Sequence, residues 1–482
     1  MSARGLYYMA ASIKRLGKET LIYGTSTVLA RLLNFCLVPF YTYYLLPGDY
    51  GIIATTFAVI ALLNVVFLFG MDQSYLRFAS EHAQKTDVFQ HCFYGVLLNG
   101  VILSVLLWLF AKPFATLIGI GAQQSHLVHL AVWVLLLDVL NMIPFTKLRL
   151  ERRPWYFAGV RTASIVVNVL GNIFFIAVLK LGIASILWAN IFASLASLLL
   201  LAPVTCRELL AKKPQFQKEL LRAMLQFAWP FVPSGLASLL ISVIDKPILV
   251  HLVGLSEVGI YQANFKIGVF MMLLVSMFDQ AWRPFFLAHA KEPDARQTFA
   301  RVLTCFVALG SWFLLGLSFL MPPIIQSNLF GNFHLISPNY WSGLHVIPCV
   351  LTGYFFYGLY VNFMVGPVMT KKTKVLLWIT LLGAFTSITT NLTLVPRLGI
   401  LGAGWAVALS YGAMALALFR FTQKNYPIPY ELPKLAFLAV ACVGTALLVH
   451  LVGKYAPQGV LLAKIGLLSI YPLWMWLAVK KV

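Results

Sequence analysis

Apolar stretches of about twenty residues follow one another from Leu21 to Val479, about fourteen in all, and the 36 lysines and arginines gather mostly in every second connection between them. A helix needs about 20 apolar residues to cross a hydrocarbon core. Loops rich in Lys and Arg stay on the cytoplasmic side, so the alternation orients every span and sets both termini in the cytoplasm. The expected fold is an all-α polytopic membrane protein of about 14 transmembrane helices. Short loops on both faces leave little room for chemistry outside the membrane. The working surface is expected inside it, for transport or for action on a lipidic substrate.

The chain is 60% hydrophobic and 11% charged, which excludes an ordinary soluble domain, where about a quarter of residues are charged. A net charge of +21 would suggest nucleic acid as the partner of a soluble chain. Here the excess sits in connections such as Lys147, Arg149, Arg152 and Arg153, or Lys371, Lys372 and Lys374, where it faces anionic lipid headgroups. Membrane lipids are therefore expected as partners and nucleic acid is not. The six cysteines imply no disulfide framework, and the nine histidines show no helical pair with an acidic neighbour, so no metal site is expected. No nucleotide-binding loop or catalytic triad stands out, so neither a cofactor nor an enzyme activity is expected.

Residues 1–20 carry Arg4, Lys14, Arg15 and Lys18 around a short LYYMAA patch, the pattern of a cytoplasmic interfacial helix rather than a cleaved signal. Spans near 21–44, 51–70, 91–111, 126–145, 159–179 and 183–203 form an N-terminal six-helix lobe, 21–204. The basic segment CRELLAKKPQFQKELLRAM, from Cys206 to Met224, reads as a cytoplasmic linker over 205–225. A C-terminal six-helix lobe, 226–420, has spans near 226–252, 258–280, 300–320, 342–366, 375–395 and 399–420, and an additional two-helix hairpin covers 433–479.

The lobes read as copies. A shift of 208 positions lays Ser26 on Ser234, Pro39 on Pro247, Asp49 on Glu257, Gly51 on Gly259 and Ile52 on Ile260. A shift of 217 lays Leu181-Gly182-Ile183 on Leu398-Gly399-Ile400 and Trp188 on Trp405. Six spans return the chain to the same side, so the repeat is parallel, with a pseudo-twofold axis along the membrane normal. Two such lobes are expected to enclose a central site.

A charge at the centre of a spanning helix costs about 2.5–3.5 kcal/mol, so it should face protein or water. Polar stripes mark such faces: Thr27, Arg31, Asn34 and Tyr41 in the first span, and Arg161, Ser164, Asn168 and Asn172 in the fifth. The seventh carries Ser234, Ser238, Ser242 and Asp245; the eleventh carries Ser387, Thr390 and Leu394 beside Asn391. Small polar residues also glue helices together, a reading that suits any single serine. Arg31 and Arg161 are different, because buried cations need anions and the spans hold few: Asp138, Asp245 and, near a boundary, Asp279. With Lys246, Lys266 and Lys464 as further cations, the balance points to an anionic substrate.

Asp245 and Lys246 are neighbours that would point about 100° apart on a helix, so they are not expected to pair with each other. Pro247 frees backbone groups next to them. Two readings stand side by side, a bent helix presenting Asp245 or Lys246 to the substrate path and a structural ion pair with another helix. Asp138, with Asn141 one turn on, is likewise either an ion-coupling site or the neutralising partner of Arg161.

Three fragments in order resemble the polysaccharide flippases of the multidrug, oligosaccharidyl-lipid and polysaccharide exporter superfamily, over nearly the whole chain. The first runs from Tyr23-Gly24 through Arg31 and Pro39 to Leu46-Pro47-Gly48-Asp49-Tyr50-Gly51. The second is FAWPFVPSG from Phe227, then Asp245-Lys246, then VGIYQANFKIG from Val258; the third joins Asn391 and Leu394-Val395-Pro396 to Gly399-Ile400-Leu401-Gly402-Ala403. Relatives usually carry Asp-Arg where this chain has Asp245-Lys246, so the bidentate fork that suits phosphate is missing there.

The resemblance implies a two-lobed bundle in the bacterial cytoplasmic membrane that moves a polyprenyl-diphosphate-linked oligosaccharide to the outer leaflet. It leaves room for other glycan-assembly proteins as partners. Arg31, Asn34, Arg161, Asn168, Lys246 and Lys266 would meet the headgroup, and Asp138 and Asp245 would be ion-coupling or structural. A multidrug or cation exporter of the same superfamily is the alternative, though it would favour an acidic cavity. A glycan polymerase would need catalytic polar residues in a sizeable outer loop, yet the longest outer connection, about Met321 to Tyr340, has no Lys, Arg, Asp or Glu.

Overall fold

The computed structural model describes residues 31–81, 85–213, 217–290, 292–328, 333–455 and 459–479. The expected interfacial helix at 1–20 and the beginning of the first span, with Thr27, lie outside those residues. Helix α1 covers residues 31–44. It is followed by α2 (Pro47–Leu68), α3 (Met71–Glu81), α4 (Lys85–Leu109), α5 (Ala111–Leu117), α6 (Ser125–Leu150), α7 (Pro154–Ile173) and α8 (Ala184–Leu210). Next come α9 (Lys218–Ala228), α10 (Phe231–Val243), α11 (Asp245–Val253), α12 (Leu255–Phe265) and α13 (Val269–His289). The chain continues through α14 (Ala295–Gln326), α15 (Ile347–Phe363), α16 (Val365–Met369), α17 (Lys374–Leu398), α18 (Ile400–Asn425), α19 (Leu432–Tyr455) and α20 (Val460–Val479).

Among the described residues, 13 helical segments are long and apolar enough to cross a membrane. The protein is an all-helical membrane protein. Two compact units divide it, Met1–Gly259 and Ile260–Val482, with the boundary inside α12. The residues expected to link two lobes, 205–225, are shared between the end of α8 and the start of α9, which begins at Lys218.

Within the first unit α6 packs against α2, α4 and α8, and α7 lies along α8. Breaks interrupt several of this unit's helices. Gly70, at φ 69°, turns the chain between α2 and α3, and an alanine there would meet the Ala228 carbonyl as well as strained backbone. Carbonyls freed at such a break must find donors inside a bilayer. Asn99 supplies them from α4, its Nδ2 donating to the Val66 carbonyl at 2.9 Å and the Phe67 carbonyl at 2.7 Å. At the other end of α4, Gln90 Nε2 donates to the Glu208 carbonyl at 3.0 Å and the Lys212 carbonyl at 2.9 Å, finishing α8.

Two further breaks correct a sequence expectation. The single span read near 226–252 is three helices, α9, α10 and α11, interrupted at Trp229-Pro230 and at Ile244. Pro230, Pro233 and Pro247 each lack the N–H that would close a helical turn, which explains both interruptions.

In the second unit α18 lies against α15 and α17, and α14 carries the last two helices. The span read near 258–280 is divided into α12 and α13 by a 3₁₀ turn, Lys266–Gly268. Asn264 Nδ2 satisfies the Tyr340 carbonyl at 2.9 Å, and Thr422 Oγ1 satisfies that of Phe363, at the end of α15, at 2.9 Å. Tyr471 of α20 is fully buried and donates its hydroxyl to Ser311 Oγ of α14 at 2.8 Å.

Candidate functional site: a polar cavity in the first unit

Five helices, α2, α6, α7, α8 and α10, line an open cavity of about 320 Å³. Its polar lining comes from Asn64 of α2, Asp138 and Asn141 of α6, Arg161 and Ser164 of α7, and Ser194 and Ser197 of α8. Asp138 stands near the middle of α6, a depth at which a carboxylate exposed to lipid would be expensive, and the cavity gives it polar company instead.

Ser194 donates its hydroxyl to Asp138 Oδ1 at 2.5 Å. One turn beyond Asp138, Asn141 donates Nδ2 to the Ser194 carbonyl at 2.9 Å, so α6 and α8 are tied twice at one level. Asn141 is 4% exposed, and its Oδ1 accepts no hydrogen bond among the described residues. Ser164 donates to the Ala193 carbonyl at 3.1 Å, joining α7 to the same stretch of α8.

Arg161 is held by rings. Its guanidinium carbon lies 4.4 Å from the centre of Phe145 and 5.7 Å from that of Phe157, which themselves pack edge to face at 5.2 Å. The side chain opens onto the cavity and makes no hydrogen bond to a described residue. Asp138 lies within electrostatic reach of it. The cavity lining thus holds one acid and one base.

The other residues singled out by sequence are distributed as follows. The α7 stripe divides: Arg161 and Ser164 line the cavity, whereas Asn172 is fully buried and donates Nδ2 to the Asn168 carbonyl at 2.8 Å and to its Oδ1 at 3.1 Å. In α1, Arg31 is half-buried and Asn34 exposed. Lys266, in the second unit, is half-buried and occupies the 3₁₀ turn that divides its span.

Asp245 and Lys246 do pair, contrary to the expectation from helical geometry. Lys246 Nζ donates to Asp245 Oδ1 at 2.8 Å and reaches the Ser242 carbonyl at 3.4 Å. Both residues stand in the first turn of α11, and the long lysine side chain folds back onto its neighbour's carboxylate. Both side chains are buried, at 2% and 6% exposure.

Lys147, read as a loop cation, is also buried, in the last turn of α6. It pairs with Glu151 at 2.5 Å and Glu208 at 2.8 Å. Sequence reading missed Asn64 and Ser194. Asn64 is an isolated polar residue in an apolar run, marked only by the cost of lipid exposure, whereas Ser194 stands with Asn190 and Ser197 at helical spacing, a stripe of the kind read in α7.

Solved membrane transporters share this fold. The solved structure titled lipid II flippase MurJ, inward closed conformation, matches with a TM-score of 0.74 at 16% identity, covering 95% of this chain and 99% of its own. A multidrug resistance MATE family transporter of the MOP superfamily, inward-facing, matches with a TM-score of 0.64 at 14% identity, covering 82% and 94%. The Vibrio cholerae MATE transporter VcmN in the bent form matches with a TM-score of 0.56 at 15% identity, covering 86% and 97%. Comparison with curated protein sequences gave no match. By sequence, the chain belongs to the family described as polysaccharide biosynthesis protein, whose model matches residues 16–288.

Proposed function

We propose that this protein is a flippase that carries a polyprenyl-diphosphate-linked oligosaccharide from the cytoplasmic to the outer leaflet of the bacterial cytoplasmic membrane. The observation that carries the reading is membership of a polysaccharide biosynthesis family on a transporter fold. A glycan assembled on a lipid must cross the bilayer before it reaches the surface, and a transporter in that pathway supplies the crossing. In this reading both termini are cytoplasmic and the site is exposed alternately to the two faces of the membrane.

Cations inside spans support an anionic headgroup as cargo. Arg31 and Lys266 bind the diphosphate by charge-assisted hydrogen bonds, and Asn34, Arg161, Asn168 and Lys246 contribute to the headgroup path. Two negative charges moving outward across about 100 mV, inside negative, gain about 4.6 kcal/mol, so export is downhill for the cargo itself. Return of the unloaded site is a separate step, at which Asp138 or Asp245 has a role in coupling to an ion. The likeness to multidrug transporters favours one alternative cargo, an organic cation.

The test is translocation by Arg31→Ala. The variant should insert and fold normally yet leave lipid-linked oligosaccharide on the cytoplasmic leaflet. Normal surface glycan from that variant would sink the assignment.

A further inference from the structure

The cavity in the first unit does not have the chemistry of an anion site. Its one cation, Arg161, shares the space with a carboxylate, Asp138. A phosphate entering it would meet Asp138, and a metal or organic cation would meet Arg161. A charge-balanced lining selects against both signs and admits an uncharged polar ligand.

The polar groups are arranged for such a ligand. Arg161 is fixed over Phe145 and Phe157, so its planar N–H donors are set in place without being used on carbonyls. Asn141 Oδ1 is a buried acceptor with no donor among the described residues, on a side chain that lines the cavity. A buried amide oxygen without a partner costs about 1–3 kcal/mol, which a bound donor would recover. Asp138 Oδ1 already accepts from Ser194, and a carboxylate has further lone pairs to offer. Donors and acceptors therefore stand together around a volume of about 320 Å³, at the lower end of the range of about 300–1,000 Å³ typical of ligand pockets. Hydroxyl groups, which donate and accept at once, match this lining.

We propose that this cavity is a recognition pocket for an uncharged sugar residue, with Asn141 Oδ1 and Asp138 accepting from its hydroxyls and Arg161 donating to them. The inference rests on the flippase reading, and it separates two tasks within one headgroup. The diphosphate is met by cations elsewhere, and the first unit reads the glycan.

The experiment measures binding of three synthetic lipids to the full-length protein in nanodiscs: polyprenyl diphosphate, the same lipid bearing one glucose, and the same lipid bearing one glucuronate. The glucose lipid should bind about tenfold tighter than the bare lipid, as expected for one or two well-formed hydrogen bonds. Asn141→Leu removes the free acceptor, and Ala61→Leu fills the cavity without deleting a polar group. Each should erase the tenfold increment and leave affinity for the bare lipid unchanged.

If the wild-type protein binds bare and glucose lipids equally, or if the increment survives both variants, the pocket assignment is wrong while the flippase reading stands. A larger increment for glucuronate would make it an anion site and overturn the proposal. So would a sodium or pH dependence of bare-lipid affinity that Asp138→Asn abolishes without touching sugar discrimination. If no lipid binds at all, the flippase reading itself fails, and the pocket falls with it.

Discussion

Gly51 and Gly259 meet backbone to backbone: a Cβ on Gly51 would run into the Leu255 carbonyl, and a Cβ on Gly259 into that of Pro47. It is one contact made twice, because Pro47 and Leu255 stand 208 positions apart, as the two glycines do. Reciprocal contact between equivalent positions is what a two-fold relation between α2 and the start of α12 produces. Either glycine changed to Ala must force backbone apart, which should cost at least about 1–3 kcal/mol. Gly48→Ala, with nothing within 4 Å of its Cβ position, should be close to neutral. Thermal unfolding of the three purified variants checks the contrast.

The buried Asp245–Lys246 pair predicts strong non-additivity. Asp245→Asn or Lys246→Met alone breaks a buried ion pair and should cost about 3–5 kcal/mol. The double variant should recover most of that loss. A double-mutant cycle on thermal stability would contradict the pairing if the two single effects simply added.

Lys147 joins the ends of α6 and α8 through Glu151 and Glu208, with its side chain only 10% exposed. Lys147→Met should lower thermal stability clearly, whereas the same change at exposed Lys372 should not. Equal effects at the two sites would mean that the triad contributes nothing beyond net charge.

Glu431, just before α19, gives a pH signature. Burial raises its pKa, but Lys434 at 2.6 Å, Thr304 Oγ1 at 2.8 Å and the charges of Lys434 and Arg301 outweigh it and leave the carboxyl below its ordinary 4.5. A lowered folded pKa means stability that is present above pH 4.5 and is lost as the pH falls through the lowered value. Glu431→Gln should therefore cost about 1 kcal/mol at neutral pH and progressively less in acid. Unfolding midpoints of the wild type and the variant, followed from pH 7 downward, should converge.

What the sequence made legible was set by periodicity. Long apolar runs announce spanning helices, and the cost of charge in lipid marked Arg161 and Asp138 as facing protein before any packing was known. Asp138 as the neutralising partner of Arg161 was one of two readings the residues allowed; the helices that complete their cavity were not legible, since a stripe gives the face of a helix but not the neighbour it meets. The surplus of in-span cations was a sum over the chain; locally, Arg161 has Asp138 beside it. The Asp245–Lys246 pairing was misjudged because the offset between neighbours on a helix was weighed without the length of the lysine side chain, which folds back to the Asp245 carboxylate within the first turn of α11. Arg161 and Asn168 looked equivalent on one stripe, yet the amide of Asn172 is turned onto Asn168 while Arg161 reaches the cavity.

The most direct test of the central claim is a clean deletion of the gene, assayed for surface polysaccharide and for the leaflet on which its lipid-linked precursor resides. Precursor should be trapped on the cytoplasmic leaflet and glycan missing from the surface, both restored by the wild-type protein but not by Arg31→Ala. Normal surface polysaccharide with altered sensitivity to drugs or cations would contradict it.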